Sequence, residues 1–159
     1  MERHLKSRNN ILILVATMTG TALMVADDIA DYCNNNDIET RILEMDNINI
    51  NELINNKYPV LVCSSTYGQG DVPDNAKKFY NDLKENSPDL SHIKYALFGL
   101  GDLDTHRDTF AFGGKKFDKI LSSLGAKRIN NPHYHDASEG SLPEEVAVEW
   151  FKKNIQSFL

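Results

Sequence analysis

Six consecutive apolar residues, Ile11 to Ala16, run directly into Thr17-Met18-Thr19-Gly20-Thr21-Ala22 and from there into a stretch with helical spacing. An apolar run this short, without polar alternation, reads as a strand covered on both faces. The chain must then supply helices to both sides of a sheet, which restricts it to layered α/β architectures. The turn between strand and helix adds a second constraint. Backbone N–H groups and the positive end of the helix dipole converge there, so a phosphate can sit on neutral donors. A P-loop, G-x-x-x-x-G-K-[ST], needs its lysine on the β/γ-phosphates, and this turn has no lysine. The dinucleotide fingerprint G-x-G-x-x-G is missing too, so the turn suits a mononucleotide monophosphate better than ATP, GTP or NAD.

The alternation of strand and helix signals continues to the end of the chain. Ala22, Ala26, Ile29, Ala30 and Cys33 mark one face of a helix running to about Asn35. Thr40 to Glu44 is a short second strand, and Asn49 to Asn56 a weak helix because asparagine is a poor helix former. Pro59 to Ser64 is a third strand, apolar and covered on both faces. Ala76, Phe79, Tyr80 and Leu83 face inward from the next helix. Tyr95 to Leu100 is a fourth strand; Phe117, Ile120, Leu121 and Leu124 mark a helix that Gly125 terminates. Lys127 to Ile129 is a minimal fifth strand, and His133-Tyr134-His135 reads as a polar loop, since two histidines without a third ligand do not make a metal site. Ser141-Leu142-Pro143-Glu144 has capping-box spacing and opens a last helix with Val146, Trp150, Ile155 and Phe158 inward. The expected fold is a single-domain, doubly wound, five-stranded parallel sheet of order 2-1-3-4-5, which places ligands beyond the carboxyl ends of strands one and three.

A length of 159 residues fits one domain with a sizeable core. Residues 1–10 read as a short polar leader and 11–159 as the domain; no apolar stretch approaches the ~18 residues of a membrane span. The net charge of −6 argues against nucleic acid or an anionic membrane as main partner and favours basic proteins. Cys33 and Cys63 form no disulfide framework and read as small buried hydrophobes, consistent with a reducing cytoplasm.

This topology gathers three loops on one sheet edge: Thr17 to Ala22, Ser65 to Asp74, and 101–112. In the second, glycines let the backbone approach a ligand and Tyr67 offers a flat apolar face. A phosphate cradle beside an aromatic, backbone-lined slot describes a flavin mononucleotide site.

Leu14 to Ala22, Ser64 to Leu83 and Phe98 to Ile129 resemble the flavodoxin-type FMN domain, in the subgroup shared with cytochrome P450 reductase and sulfite reductase. The likeness is strongest to the stand-alone MioC-type flavodoxins, through Ser64-Ser65-Thr66-Tyr67-Gly68-Gln69-Gly70-Asp71-Val72-Pro73-Asp74-Asn75, Arg107-Asp108-Thr109-Phe110 and Leu124-Gly125-Ala126-Lys127. The resemblance implies that Thr17, Met18, Thr19, Gly20, Thr21 and Ala22 bind the FMN phosphate. Ser65, Thr66, Tyr67 and Gly68 would flank the isoalloxazine, with Tyr67 stacked on it and the Gly68 carbonyl near N5. Leu100, Gly101 and Asp102, with His106, Arg107 and Phe110, would cover the other face and the pyrimidine edge. Taken alone, His106 reads as an exposed loop histidine. Relatives usually carry a flavin-stacking tyrosine where this chain has Arg107.

The function implied is electron transfer without catalysis on a substrate: an NADPH-dependent flavin reductase docks transiently, then an acceptor protein, with the carrier a cytoplasmic monomer. An FMN-dependent quinone or nitro reductase, and a non-flavin interaction protein on the same fold, are the alternatives.

Overall fold

The structure is a computed structural model describing residues 9–159; the first eight positions of the expected leader lie outside the described residues. A parallel sheet is ordered β2-β1-β3-β4 with β5 and β6 along the outer side of β4. Strand β1 spans Asn9–Ala16, β2 Ile38–Glu44, β3 Val60–Ser64 and β4 Lys94–Gly101. The order 2-1-3-4-5 is as expected. β1 begins two residues early because Asn9 and Asn10 pair with Ile38 and Glu39 at the start of β2.

Side-chain alternation along β1 builds both layers. Ile11, Ile13 and Val15 enter a core completed by helices α1 (Thr21–Asn34) and α5 (Pro143–Asn154). Leu12, Leu14 and Ala16 enter the opposite core, under α2 (Ile50–Asn55), α3 (Lys77–Asn86) and α4 (Phe112–Ser123). Because both faces of each central strand are apolar, the sheet is buried on both sides. Asn49 favours α2 despite its poor propensity, since its side chain accepts the Glu52 N–H at 3.0 Å as an N-cap. At the end of α4, Gly125 N–H donates to Ser122 O and Ala126 N–H to Leu121 O, a Schellman ending as the sequence suggested. Cys33 and Cys63 are buried, and burial pushes the Cys33 thiol up to about 12 and Cys63 in the same direction.

Three sequence expectations are corrected at the carboxyl-terminal end. His133 to Asp136 is a strand, β6, paired in parallel with Phe98 to Gly101, whereas β5 (Lys127–Arg128) pairs only with Lys94 and Tyr95. The edge strand is thus split at residues 129–132, where Asn130 takes a left-handed φ of 59°. The polar composition of β6 hid it, because stacking of His133 and His135 on Phe98 replaces aliphatic packing. The capping box does not form: α5 starts at Pro143 with no side-chain cap, and the Ser141 hydroxyl donates instead to Glu139 at 2.8 Å. Phe158 stands 60% exposed beyond the end of α5, whereas Trp150 and Ile155 are buried as expected and Val146 is partly buried.

Candidate functional site

All the loops at the carboxyl ends of β1, β3 and β4 open onto one cleft of about 620 Å³. Gly20 makes the first loop possible. It precedes α1 with φ +97°, a conformation that a side chain disfavours, and a Cβ there would meet nothing within 4 Å. Two N–H groups of this loop already have protein acceptors. Thr17 N–H donates to Asn75 Oδ1 and Gly20 N–H to Thr17 Oγ1, both at 2.9 Å. Among the described residues, no protein group accepts the N–H of Thr19 or Thr21, and both residues line the cleft with Met18.

The second loop is a tight hairpin. Tyr67 and Asp71 exchange backbone hydrogen bonds at 2.8 and 2.9 Å around Gly68, Gln69 and Gly70. This presents Tyr67, 43% exposed, at the cleft. Lys77 Nζ lies 5.5 Å from the centre of its ring and pairs with Asp74 at 2.8 Å, a contact that raises the Lys77 pKa. The loop is fastened to its neighbours through Thr66, whose hydroxyl donates to Leu100 O and accepts the Gly113 N–H, each at 3.0 Å.

The third loop divides the residues expected from it. Leu100, Gly101, Asp102 and His106 line the cleft with Thr109 and Ala111. Arg107 does not: it lies exposed in a single 3₁₀ turn, Arg107–Thr109. Phe110 does not line it either: it packs beside Gly101, where a Cβ on that glycine would come within 2.9 Å of its ring, with Lys115 Nζ 5.3 Å from the ring centre. His106 takes its place at the wall because its N–H returns to Asp102 O at 2.9 Å and its Nδ1 lies 2.9 Å from the Thr105 hydroxyl.

A fourth wall has no counterpart among the sequence expectations. His135, Ala137, Ser141 and Pro143 line the cleft from β6 and the segment leading to α5. Asp136 ties this wall to the third loop by accepting the Leu103 N–H at 2.9 Å, which holds its carboxyl below the usual range, with Ser138 adding to the effect. The capping-box spacing is the only sequence signal in this stretch, and it points to a helix start. A separate hollow of about 490 Å³, lined by residues such as Asn10, Arg41, Glu52 and Tyr58, lies along β1 and β2 away from these loops. No group of three or more metal-ligating side chains is present among the described residues, and no helix there is long and apolar enough to cross a membrane.

Residues 13–150 match the flavodoxin family. The chain belongs to the flavodoxin family. It is 32% identical over 138 residues to flavodoxin YqcA of Pectobacterium carotovorum subsp. carotovorum, covering 87% of this chain and 89% of that one. It is also 33% identical over 155 residues to the NADPH–cytochrome P450 reductase of Homo sapiens, covering 94% of this chain and 22% of the reductase. The chain therefore spans about a fifth of the length of such reductases. Among solved structures, a cysteine-to-serine mutant of flavodoxin from Pseudomonas aeruginosa superposes with a TM-score of 0.79 at 28% identity, over 91% of this chain and 95% of that chain.

Flavodoxins are FMN-binding electron-transfer proteins, and the cleft suits that cofactor. Its volume lies within the range of about 300–1,000 Å³ typical of small-molecule sites. Open space at Gly20 and the N–H groups of Thr19 and Thr21 fit a phosphate without a counter-charge. Tyr67 and the backbone-lined slot fit a flat ring.

Proposed function

We propose that this flavodoxin is a one-electron carrier that takes reducing equivalents from an NADPH-dependent flavin reductase and delivers them to an acceptor protein. The observation that carries the reading is the convergence of the lysine-free Gly20 turn and Tyr67 on one cleft. Thr17 to Ala22 hold the phosphate, chiefly through the Thr19 and Thr21 N–H groups and their hydroxyls. Ser65, Thr66, Tyr67 and Gly68 flank the ring on one side, with the Thr66 hydroxyl fixing the loop rather than reaching the cofactor. Leu100, Gly101, Asp102 and His106 approach from the other side. Arg107 and Phe110 act from outside this wall, Phe110 by packing on Gly101 and Arg107 as an exposed cation.

Bound FMN supplies the one-electron chemistry; the protein's part is to orient the ring, shield it and leave an edge accessible. Exposed Met18 and Tyr67 stand at the cleft, exposed Leu142 lies between the cleft-lining Ser141 and Pro143, and Asp71, Asp74, Asp104 and Asp108 are exposed on the second and third loops. An apolar mouth within an acidic surface suits transient docking of partners with basic surfaces. On this reading the carrier is one α/β domain, works as a monomer and resides in the cytoplasm.

The deciding experiment is the visible spectrum of the purified protein before and after FMN is added. Flavin bands with quenched fluorescence are expected, and a protein that is colourless once unbound FMN has been removed refutes the proposal. With FMN bound, the rate of electron delivery to a basic acceptor should fall as salt is raised. A rate unaffected by ionic strength would exclude charge-guided docking.

A further inference from the structure

His135 is only 1% exposed, yet it lines the cofactor cleft. Its Nε2 lies 2.9 Å from the Ser141 hydroxyl and 3.6 Å from Glu139 Oε1. The Ser141 hydroxyl spends its hydrogen on Glu139, at 2.8 Å. Its lone pair therefore faces the imidazole, and Nε2 of His135 must carry the hydrogen of that bond. A second proton enters at Nδ1, for which no hydrogen-bond partner exists among the described residues.

The surroundings bias that proton's effect toward one place. From β4, the Phe98 ring faces His135 at 6.5 Å, and the α5 residues in the same core, Ala147 and Trp150, are uncharged. The ionisable groups around it are His133 and Asp136 on its own strand, Glu139 on the following turn, and Asp102 and His106 on the third loop, which lines the same cleft. Of these, Glu139 makes the ion-pair contact, and it belongs to the same segment as Ala137 and Ser141, which line the cleft.

We propose that His135 is a positioning residue for the fourth wall of the cofactor cleft, holding Ala137 and Ser141 in place through Ser141 and Glu139 and making cofactor affinity depend on its protonation. The inference rests on the FMN reading above. With one proton, the ring makes a neutral bond to Ser141. With two, the bond becomes charge-assisted, Glu139 gains an ionic partner, and a cation faces an anionic cofactor. All three effects close and charge the wall in the same direction, so affinity rises as pH falls.

The test measures FMN dissociation constants by fluorescence quenching at pH 5.5 and pH 8 for the native protein, His135→Gln and Glu139→Gln. Because FMN's own phosphate ionisation is common to all three, the ratio between proteins isolates His135. The gain in affinity at low pH should be about fivefold larger in the native protein than in His135→Gln, the equivalent of one charge-assisted bond. Glu139→Gln should lie between them. Equal ratios in the native protein and His135→Gln overturn the proposal; if His135→Gln does not fold, Glu139→Gln decides on the same criterion. A second readout needs no cofactor: in NMR titrations without FMN, the amides of Ala137 and Ser141 should shift with the His135 ring signal. Amides that stay still while the ring titrates overturn the proposal. Failure to bind FMN at any pH would instead refute the carrier reading, leaving the amide titration to judge His135.

Discussion

The Thr66 hydroxyl accepts the Gly113 N–H at 3.0 Å and donates to the Leu100 carbonyl at the same distance. One hydroxyl thereby joins the loop after β3, the end of β4 and the first turn of α4, so two walls of the cleft share a single fastening. Thr66→Val keeps the shape and removes both bonds, stranding the partly buried Gly113 N–H. A loss of about 1–3 kcal/mol in folding stability is expected, together with weaker FMN binding, by chemical denaturation and fluorescence titration. Thr66→Ser restores the hydroxyl and should recover most of both.

Gly113 and Gly20 are both required, for different reasons, and a pair of alanine variants separates them. A Cβ at Gly113 would lie 2.1 Å from the Ser65 carbonyl oxygen, a backbone atom that cannot move without displacing the second loop. Gly113→Ala should cost about 3 kcal/mol, at the upper end of overpacking penalties. At Gly20 nothing stands within 4 Å, but φ is +97°, so Gly20→Ala should cost about 1–3 kcal/mol from backbone strain alone. Gly20→Val should in addition abolish FMN binding, because its side chain fills the space beside the Thr19 and Thr21 N–H groups. Normal FMN binding by a folded Gly20→Val protein would place the phosphate elsewhere.

The sheet order and the place of the first three loops at one edge were legible because each rests on a local, redundant signal. The apolar runs Ile11 to Ala16 and Pro59 to Ser64 can only be doubly covered strands, and their order places the loops that follow them at one edge. The fourth wall was not legible because β6 is held by aromatic stacking of His133 and His135 on Phe98 and by pairing with β4, neither of which leaves a period in the sequence. The third loop shows the same limit on a smaller scale. The family resemblance put both His106 and Arg107 at the ring, whereas the return of the His106 N–H to Asp102 accompanies a His106 that lines the cleft and an Arg107 that lies exposed outside it. The capping-box pattern at Ser141 failed because the N-cap position of α5 falls on Leu142, and the Ser141 hydroxyl bonds to Glu139 and His135.

Tyr67 offers the plainest test of the ring position. It lines the cleft at 43% exposure and is braced by Lys77 at 5.5 Å. Aromatic stacking on a planar heterocycle contributes about 1–3 kcal/mol, so Tyr67→Ala should weaken FMN binding by roughly 5- to 150-fold. Tyr67→Phe, which keeps the ring, should stay within a few-fold of the native value. Folding stability should change less than FMN binding in either variant, since the side chain stands at the cleft and belongs to neither core.

Asp136 sets the acid limit of the site. Its carboxylate accepts the Leu103 N–H at 2.9 Å and the Ser138 N–H and hydroxyl at 3.0 and 2.8 Å, and these bonds hold its pKa below the usual carboxylate range. A group whose folded-state pKa is depressed stabilises the protein above its unfolded pKa, near 4 for aspartate, and loses that stabilisation as pH falls through the lower folded value. Below about pH 4 the native protein should therefore lose the tie between the third loop and β6 progressively. Asp136→Asn cannot titrate, so it should be less stable than the native protein at pH 7, and the difference should shrink steadily between about pH 4 and the folded pKa. Thermal melts at half-unit intervals from pH 7 down to pH 2.5 measure this directly. A constant difference across that range would mean that the Asp136 hydrogen bonds do not depend on its charge.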